Sequence, residues 1–390
     1  LNARLADLLA ALLFAGILTC WAPGYWPVAL VETGAFVLCG WVIISHRGVR
    51  AGLAGWSLIG IVAWGVWQFA DGVTVYRFET GKAVMFWAAN ASVFVAARAA
   101  CLATPLRNRF LRGLLWLGWL VSLLAVVQYF TSQGKVFWLF PAGPERVLGP
   151  FLYKNECAAF LELVFPLAVY QSLVDDRDSL LYMAMAATMF AAVITAASRA
   201  GAALVTGELL VVLLLSWRGG VIPAARLRQR AAWTAVFGVS LAAVVGWQVT
   251  LEKFREPEPY RVRRELLLSS LAMVADRPVS GFGLGTWPVV YPAYARFDNG
   301  LAANHAHNDW AEWAAEGGVP FVALMALVAL WSVRPAADSL WGIGVPVIFA
   351  HSLVDYPLRE PALAALLFAL LGALAARAAA PTRILTESQP

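Results

Sequence analysis

Apolar residues run through this chain in stretches of about twenty, and the polar positions gather between those stretches instead of alternating with them. About 20 apolar residues cross a bilayer as a helix. Lipid cannot satisfy exposed backbone N–H and C=O groups, so such a segment must be helical, and the absence of alternating strands removes a β-barrel. The pattern predicts an all-α polytopic membrane protein with about twelve transmembrane helices, near 5–21, 26–45, 53–70, 83–100, 111–131, 156–174, 180–197, 201–217, 231–250, 309–333, 340–356 and 361–379. Two interruptions are long, 132–155 and 251–306. In the second, a large penultimate loop, Leu266, Leu267, Ser270, Leu271 and Val274 recur at helical spacing opposite Arg261, Arg263, Arg264 and Glu265. That is a short amphipathic helix over about 260–275, expected to lie on the membrane surface. Pro278 stops it, and Gly281, Gly283 and Gly285 permit tight turns.

Composition agrees with that class: 61% of residues are hydrophobic and 14% charged, far from soluble averages. Cations outside the two long loops favour the side that holds Arg4, Arg47, Arg98, Arg112, Arg218 and Arg334, so both termini are expected to be cytoplasmic. The expected organisation is a single transmembrane domain over 1–380, with outer loops 132–155 and 251–306, and a mobile cytoplasmic tail over 381–390. The first span runs on into a second without a small-x-small exit, so no cleavable signal peptide is expected. A net charge of +5 does not indicate nucleic acid, because the cations sit at membrane edges where lipid headgroups attract them. Cys20, Cys39, Cys101 and Cys157 are scattered, with no metal-ligand spacing, and neither a metal nor another cofactor is expected.

The two outer loops carry positive charge against the topological trend, and they adjoin the chain's most reactive side chains. Asn304-His305-Ala306-His307-Asn308-Asp309 stands where the polar loop re-enters the apolar region, and it holds two of the four histidines. Imidazole exchanges a proton near neutral pH, which suits a general base. His307 is the candidate, with His305 as the alternative, and Glu312 and Glu316 follow on the same helix. A lone histidine at a span end is more often a helix cap or a lipid contact, yet ionisable residues at membrane depth are functional candidates by default. The second group is cationic: Arg199 in a short connection, Arg264 on the amphipathic helix, Arg277 at its end, and Arg146 and Lys154 in the other outer loop. Cations converging on one membrane face can hold a phosphate or pyrophosphate through charge-assisted hydrogen bonds; attraction to ordinary anionic lipid is the plainer alternative. Asp176-Arg177-Asp178 reads as a solvated turn, and Gly281–Gly285 lacks the preceding strand that a dinucleotide loop needs.

Four local patterns, in order, resemble the O-antigen ligase and O-antigen polymerase superfamily of bacterial membrane glycosyltransferases. They are Gly149-Pro-Phe-Leu-Tyr-Lys-Asn155, Ser198-Arg-Ala-Gly201, Arg264 followed by Asp276-Arg-Pro-Val-Ser-Gly-Phe-Gly-Leu-Gly285, and His307-Asn308 followed by Glu316-Gly-Gly318. His351-Ser-Leu-Val-Asp355 is a softer match. The ligase pattern places Gly, Thr or Tyr where Phe321 stands here. The resemblance implies metal-independent transfer of a glycan from undecaprenyl pyrophosphate on the periplasmic face of the inner membrane. The acceptor hydroxyl would be on the lipid A core, on another lipid-linked glycan, or on a protein. His307 would be the base, Arg199 and Arg264 would grip the pyrophosphate, and Arg146, Lys154, Asn155, Arg277, His305 and Asn308 would line the substrate site. A ligase-like transferase, a polymerase and a protein O-oligosaccharyltransferase share that donor chemistry. A glycolipid or anion transporter is the rival of another class; it would show charges buried mid-span and an internal repeat.

Overall fold

Each apolar stretch named above overlaps a helix in the computed structural model, which describes residues 2–45, 51–142, 146–246, 248, 261–297, 300 and 302–379. The helices are α1 (Asn2–Thr19), α2 (Trp26–Ser45), α3 (Gly52–Ala70), α4 (Arg77–Ala100), α5 (Thr104–Thr131), α6 (Lys154–Val174), α7 (Ser179–Thr195), α8 (Arg199–Arg218) and α9 (Ala224–Val245). After the long loop come α10 (Arg261–Asp276), the short α11 (Trp287–Val290), α12 (Asp309–Ala337), α13 (Gly344–His351) and α14 (Pro361–Ala378). Among the described residues eight helices are long and apolar enough to cross a membrane, namely α2 to α6, α8, α12 and α14. Ser179–Thr195 and Leu340–His351 are apolar but shorter. The chain is a multi-pass, all-α membrane protein. The tail 381–390 and the loop residues 251–260 lie outside the described residues.

Helices α6 and α14 form the centre: 83% of each apolar window is buried, against 28% for α2 at the periphery. Small residues let α14 approach closely, as packing between apolar helices in lipid requires. A Cβ on Gly372 would stand 2.8 Å from that of Ala97 on α4, so only glycine fits there.

Helix α12 breaks at Gly318, whose φ of 69° is left-handed, just ahead of Pro320. A broken helix frees carbonyls that need partners in an apolar setting. The glycine-rich loop after α10 supplies them: Phe282 N–H donates to the Ala315 carbonyl at 3.0 Å and Gly283 N–H to the Glu316 carbonyl at 2.9 Å. In return Val319 N–H donates to the Pro278 carbonyl at 2.8 Å. Gly281, Gly283 and Gly285 all have positive φ, which makes the turn this tight.

Helix α10 begins and ends within a residue or two of the expected amphipathic segment. Its buried face, Leu266, Ser269, Ser270 and Met273, is covered by protein instead of lipid. Leu266 and Met273 join Phe282, Trp287 and Tyr291 in a small separate core, and Trp287 Nε1 donates to Ser270 Oγ at 2.9 Å. Leu271, assigned to the apolar face from spacing, is half exposed. The loop thus folds down as a cap over the start of α12.

Candidate active site

The turn after α13 positions Asp355, a carboxylate only 4% exposed. Three separate segments meet on it, and its own turn adds a fourth contact. His307 Nδ1 lies 3.2 Å from Oδ1, Arg263 on α10 donates to Oδ2 at 3.0 Å, and the Asn155 side-chain amide at the start of α6 also donates to Oδ2. Tyr356 N–H closes the set at 3.1 Å. Burial alone would push the Asp355 carboxyl up; the His307 hydrogen bond and the Arg263 charge outweigh it and hold the carboxyl below its usual range. Asp355 is therefore an acceptor, so Nδ1 of His307 carries the hydrogen. Nε2 is left as the basic atom of the ring.

Backbone geometry points to the same residue. His307 has φ 50°, a left-handed conformation that costs a side chain roughly 1–2 kcal/mol. Such strain persists only where the surroundings over-determine it. Here Asn308 caps α12, its Oδ1 accepting from Ala311 N–H at 3.0 Å and its Nδ2 donating to the Leu353 carbonyl at 2.8 Å. Tyr356 then packs between the two histidines, stacked on His305 at 4.5 Å and edge-on to His307 at 4.8 Å. Both imidazoles line a cavity of about 750 Å³ with Tyr153, Glu156 and Tyr356.

A second dyad underlies the first. His305 Nδ1 is 3.0 Å from Glu312 Oε1, and Ala306 N–H donates to Glu312 Oε2 at 2.8 Å. Asp309, Glu312 and Glu316 sit at helical spacing on one face of α12 and share Arg359, which pairs with Glu312 at 3.2 Å and Glu316 at 2.8 Å. Burial would lower the Arg359 guanidinium, but Glu312, Glu316 and Asp309 outweigh it and keep it charged. Glu316 also accepts from Trp287 N–H at 3.0 Å, so this network joins the cap to the bundle.

The sequence-derived candidates divide. His307, Asn155 and, through Tyr356, His305 come together around Asp355. Lys154 Nζ donates to the Ala197 carbonyl at 3.3 Å, bringing the start of α6 against the turn that leads into Arg199. Asn308 serves as the cap of α12. Arg264 lies on the exposed side of α10 against Glu265, with its side chain 67% exposed. Arg277 packs over the Phe282 ring at 4.5 Å and donates to the Val73 carbonyl. Arg146 is held by the Tyr129 hydroxyl at 2.6 Å. Asp355, Tyr356, Arg359 and the inward role of Arg263 were not singled out from sequence; His351-to-Asp355 was the one local signal near them.

Residues 184–328 match the family model described as O-antigen ligase. They form a domain of the O-antigen ligase superfamily. No curated protein matches the chain. The matched O-antigen ligase segment contains Arg199, Arg263, both cavity histidines and the three α12 carboxylates, whereas Asn155, Asp355 and Arg359 lie outside it. The site is thus completed by segments that flank the matched one.

Proposed function

We propose that the protein moves a glycan from undecaprenyl pyrophosphate to an acceptor hydroxyl on the periplasmic face of the bacterial inner membrane. Both termini lie in the cytoplasm in this reading, and the lipid A core is the first acceptor to test. The observation that carries it is the Asp355–His307 pair, with Nε2 as the free basic atom of a ring that lines the cavity. His307 Nε2 takes the acceptor proton while the acceptor oxygen bonds to the anomeric carbon. The bond from that carbon to the pyrophosphate oxygen breaks, and the leaving group departs with its electron pair. Single displacement inverts the configuration.

A hydroxyl is a weak nucleophile, so a positioned base contributes typically 10²–10⁴-fold. Pyrophosphate is already a good leaving group once its growing charge is met by fixed cations. Arg199 and Lys154 take that role in this reading, with Arg264 reaching the headgroup from the exposed side of α10. Asp355 and Arg263 are positioning residues, and Asn155 holds Asp355 from α6. The polymerase and protein O-oligosaccharyltransferase readings keep this donor step and change only the acceptor.

The test is turnover of an undecaprenyl-pyrophosphate-linked glycan by the reconstituted protein, beside His307→Ala. Donor consumption that depends on His307 supports the reading. Intact donor across lipid A core, lipid-linked glycan and protein acceptors, with folded protein, overturns it.

A further inference from the structure

A separate cavity of about 560 Å³ lies at the other end of the bundle and shares no lining residue with the His307 cavity. Helices α6 and α12 carry Asn155 and the Asn308 cap at their starts. The opposite ends of the same two helices enclose this second cavity, together with the start of α5, the end of α8 and Arg377 near the end of α14. At 1.5 Å per residue, Asn155 and Gln171 are about 25 Å apart along α6, so the two cavities open towards opposite faces. The second face is the cytoplasmic one in the topology above.

Two guanidinium groups from distant parts of the sequence line this cavity. Arg107, in the first turn of α5, is only 4% exposed. It donates to the Cys101 carbonyl at 3.4 Å and to the Thr104 hydroxyl at 3.1 Å. Arg377, in the last turn of α14, donates through Nε to the Ser339 hydroxyl at 2.6 Å. The two like charges are near enough to act on each other. Asp338 also lines the cavity, but it is exposed, and among the described residues neither arginine is in an ion pair with it or with another carboxylate.

That arrangement asks for an anion. A buried charge is ordinarily paired, and a second cation beside it adds repulsion. Each guanidinium offers five N–H donors in a rigid fork, far more than one or two neutral oxygens satisfy. A phosphate group matches that fork, meets two arginines at once and removes the repulsion between them. Asn108 and Gln171 add neutral amide donors to the same lining. Val174 and Val221 complete it on the apolar side, each 39% exposed. Basic pockets between membrane helices on the cytoplasmic side suit anionic lipid headgroups, and a soluble phosphate brings the same oxygens.

We propose that this cavity is a phosphate-binding site, in which Arg107 and Arg377 together hold the phosphate of an anionic membrane lipid or of a soluble phosphate compound. The site uses no residue of the Asp355–His307 pair, and binding there does not depend on glycan transfer.

The test titrates the full chain, purified in detergent and stripped of lipid. The probes are dioleoylphosphatidylglycerol against net-neutral dioleoylphosphatidylcholine, and sodium phosphate against sodium chloride at equal ionic strength. Bound lipid is counted by native mass spectrometry, and phosphate is read as a rise in Tm, because a ligand that binds only the folded state stabilises it. Saturable binding of phosphatidylglycerol beyond phosphatidylcholine assigns a lipid headgroup; a rise in Tm with phosphate beyond chloride assigns a soluble phosphate. Either supports the proposal once the arginines are shown to carry it. Arg377→Gln changes an exposed side chain and should weaken binding about fivefold or more, because a charge-assisted pair is lost. Arg107→Lys keeps the charge and loses the fork, and it tests the same point should the first variant fold poorly. Arg334→Gln, an exposed cation in the last turn of α12 outside the cavity lining, should bind as wild type does. Binding of neither probe above its control, wild-type binding in the folded cavity variants, or an equal loss in Arg334→Gln would overturn the proposal.

Discussion

Replacing Asp355 by Asn should slow transfer while leaving the fold intact. The substitution keeps the shape and an acceptor oxygen, so His307 retains its neighbour and loses only the charge opposite it. At the observed 3.2 Å, two unit charges interact by about 5 kcal/mol at an effective dielectric near 20. His307 is 32% exposed, and solvent at that edge reduces the figure to about 2–4 kcal/mol. That converts to a fall in kcat of about 30- to 700-fold, at about 1.4 kcal/mol per factor of ten. Asp355→Glu restores the charge and should recover at least tenfold over Asn. The assay is single-turnover release of undecaprenyl pyrophosphate in proteoliposomes, with helicity and elution volume as fold controls. Asn within threefold of wild type would refute the dyad. The pH dependence has a fixed sign as well. The Asp355 carboxyl is held below the ordinary Asp value of about 3.9, so the pairing is complete above that pH and is lost only as pH falls through the lower folded value. No Asp355 limb should appear between about pH 5 and 8.

Three other outcomes are expected. Arg263→Ala removes the cation paired with Asp355 and should act on kcat, by about tenfold or more, whereas exposed Arg264→Ala should raise the donor KM no more than about fivefold; the opposite split would reassign the two arginines. Gly318→Ala combines a left-handed φ with a Cβ driven into the Val279 carbonyl, so a loss of roughly 3 kcal/mol or more, read as a large drop in Tm, is expected, and an unchanged Tm would contradict the clamp. Burial raises the Glu360 carboxyl to about 7, against the Ala362 N–H that it accepts, so the folded state binds the proton more tightly than the unfolded chain. Stability then falls as pH rises from about 4.5 to 7, by roughly 2 kcal/mol after allowing for partial exposure, and Glu360→Gln should flatten that slope in a Tm-versus-pH series.

The helices were legible because lipid leaves the chain no other option, and hydropathy records that constraint residue by residue. His307 and its surroundings were legible for a related reason: titratable residues at the edge of an apolar span are costly enough to stand out. The partner of His307 was not. Asp355 lies 48 positions away in sequence, and only the packing of α6, α10 and α12 around one turn brings it to the imidazole. Arg263 and Arg264 illustrate a finer limit. Spacing identifies a polar face on α10, but adjacent residues point about 100° apart on a helix, and the covering elements decide which one turns inward. The cap over α12 was hidden likewise. An apolar face on α10 suits lipid and the Phe282–Trp287 core equally well, and only the broken helix at Gly318 draws the loop down onto protein.

The most direct test of the account is donor turnover by wild type and His307→Ala in the same proteoliposomes, with an undecaprenyl-pyrophosphate-linked glycan and a lipid A core acceptor. The account predicts glycan transfer by the wild type and at least a hundredfold loss in the folded variant, with donor binding retained. Turnover in His307→Ala within threefold of wild type would contradict it.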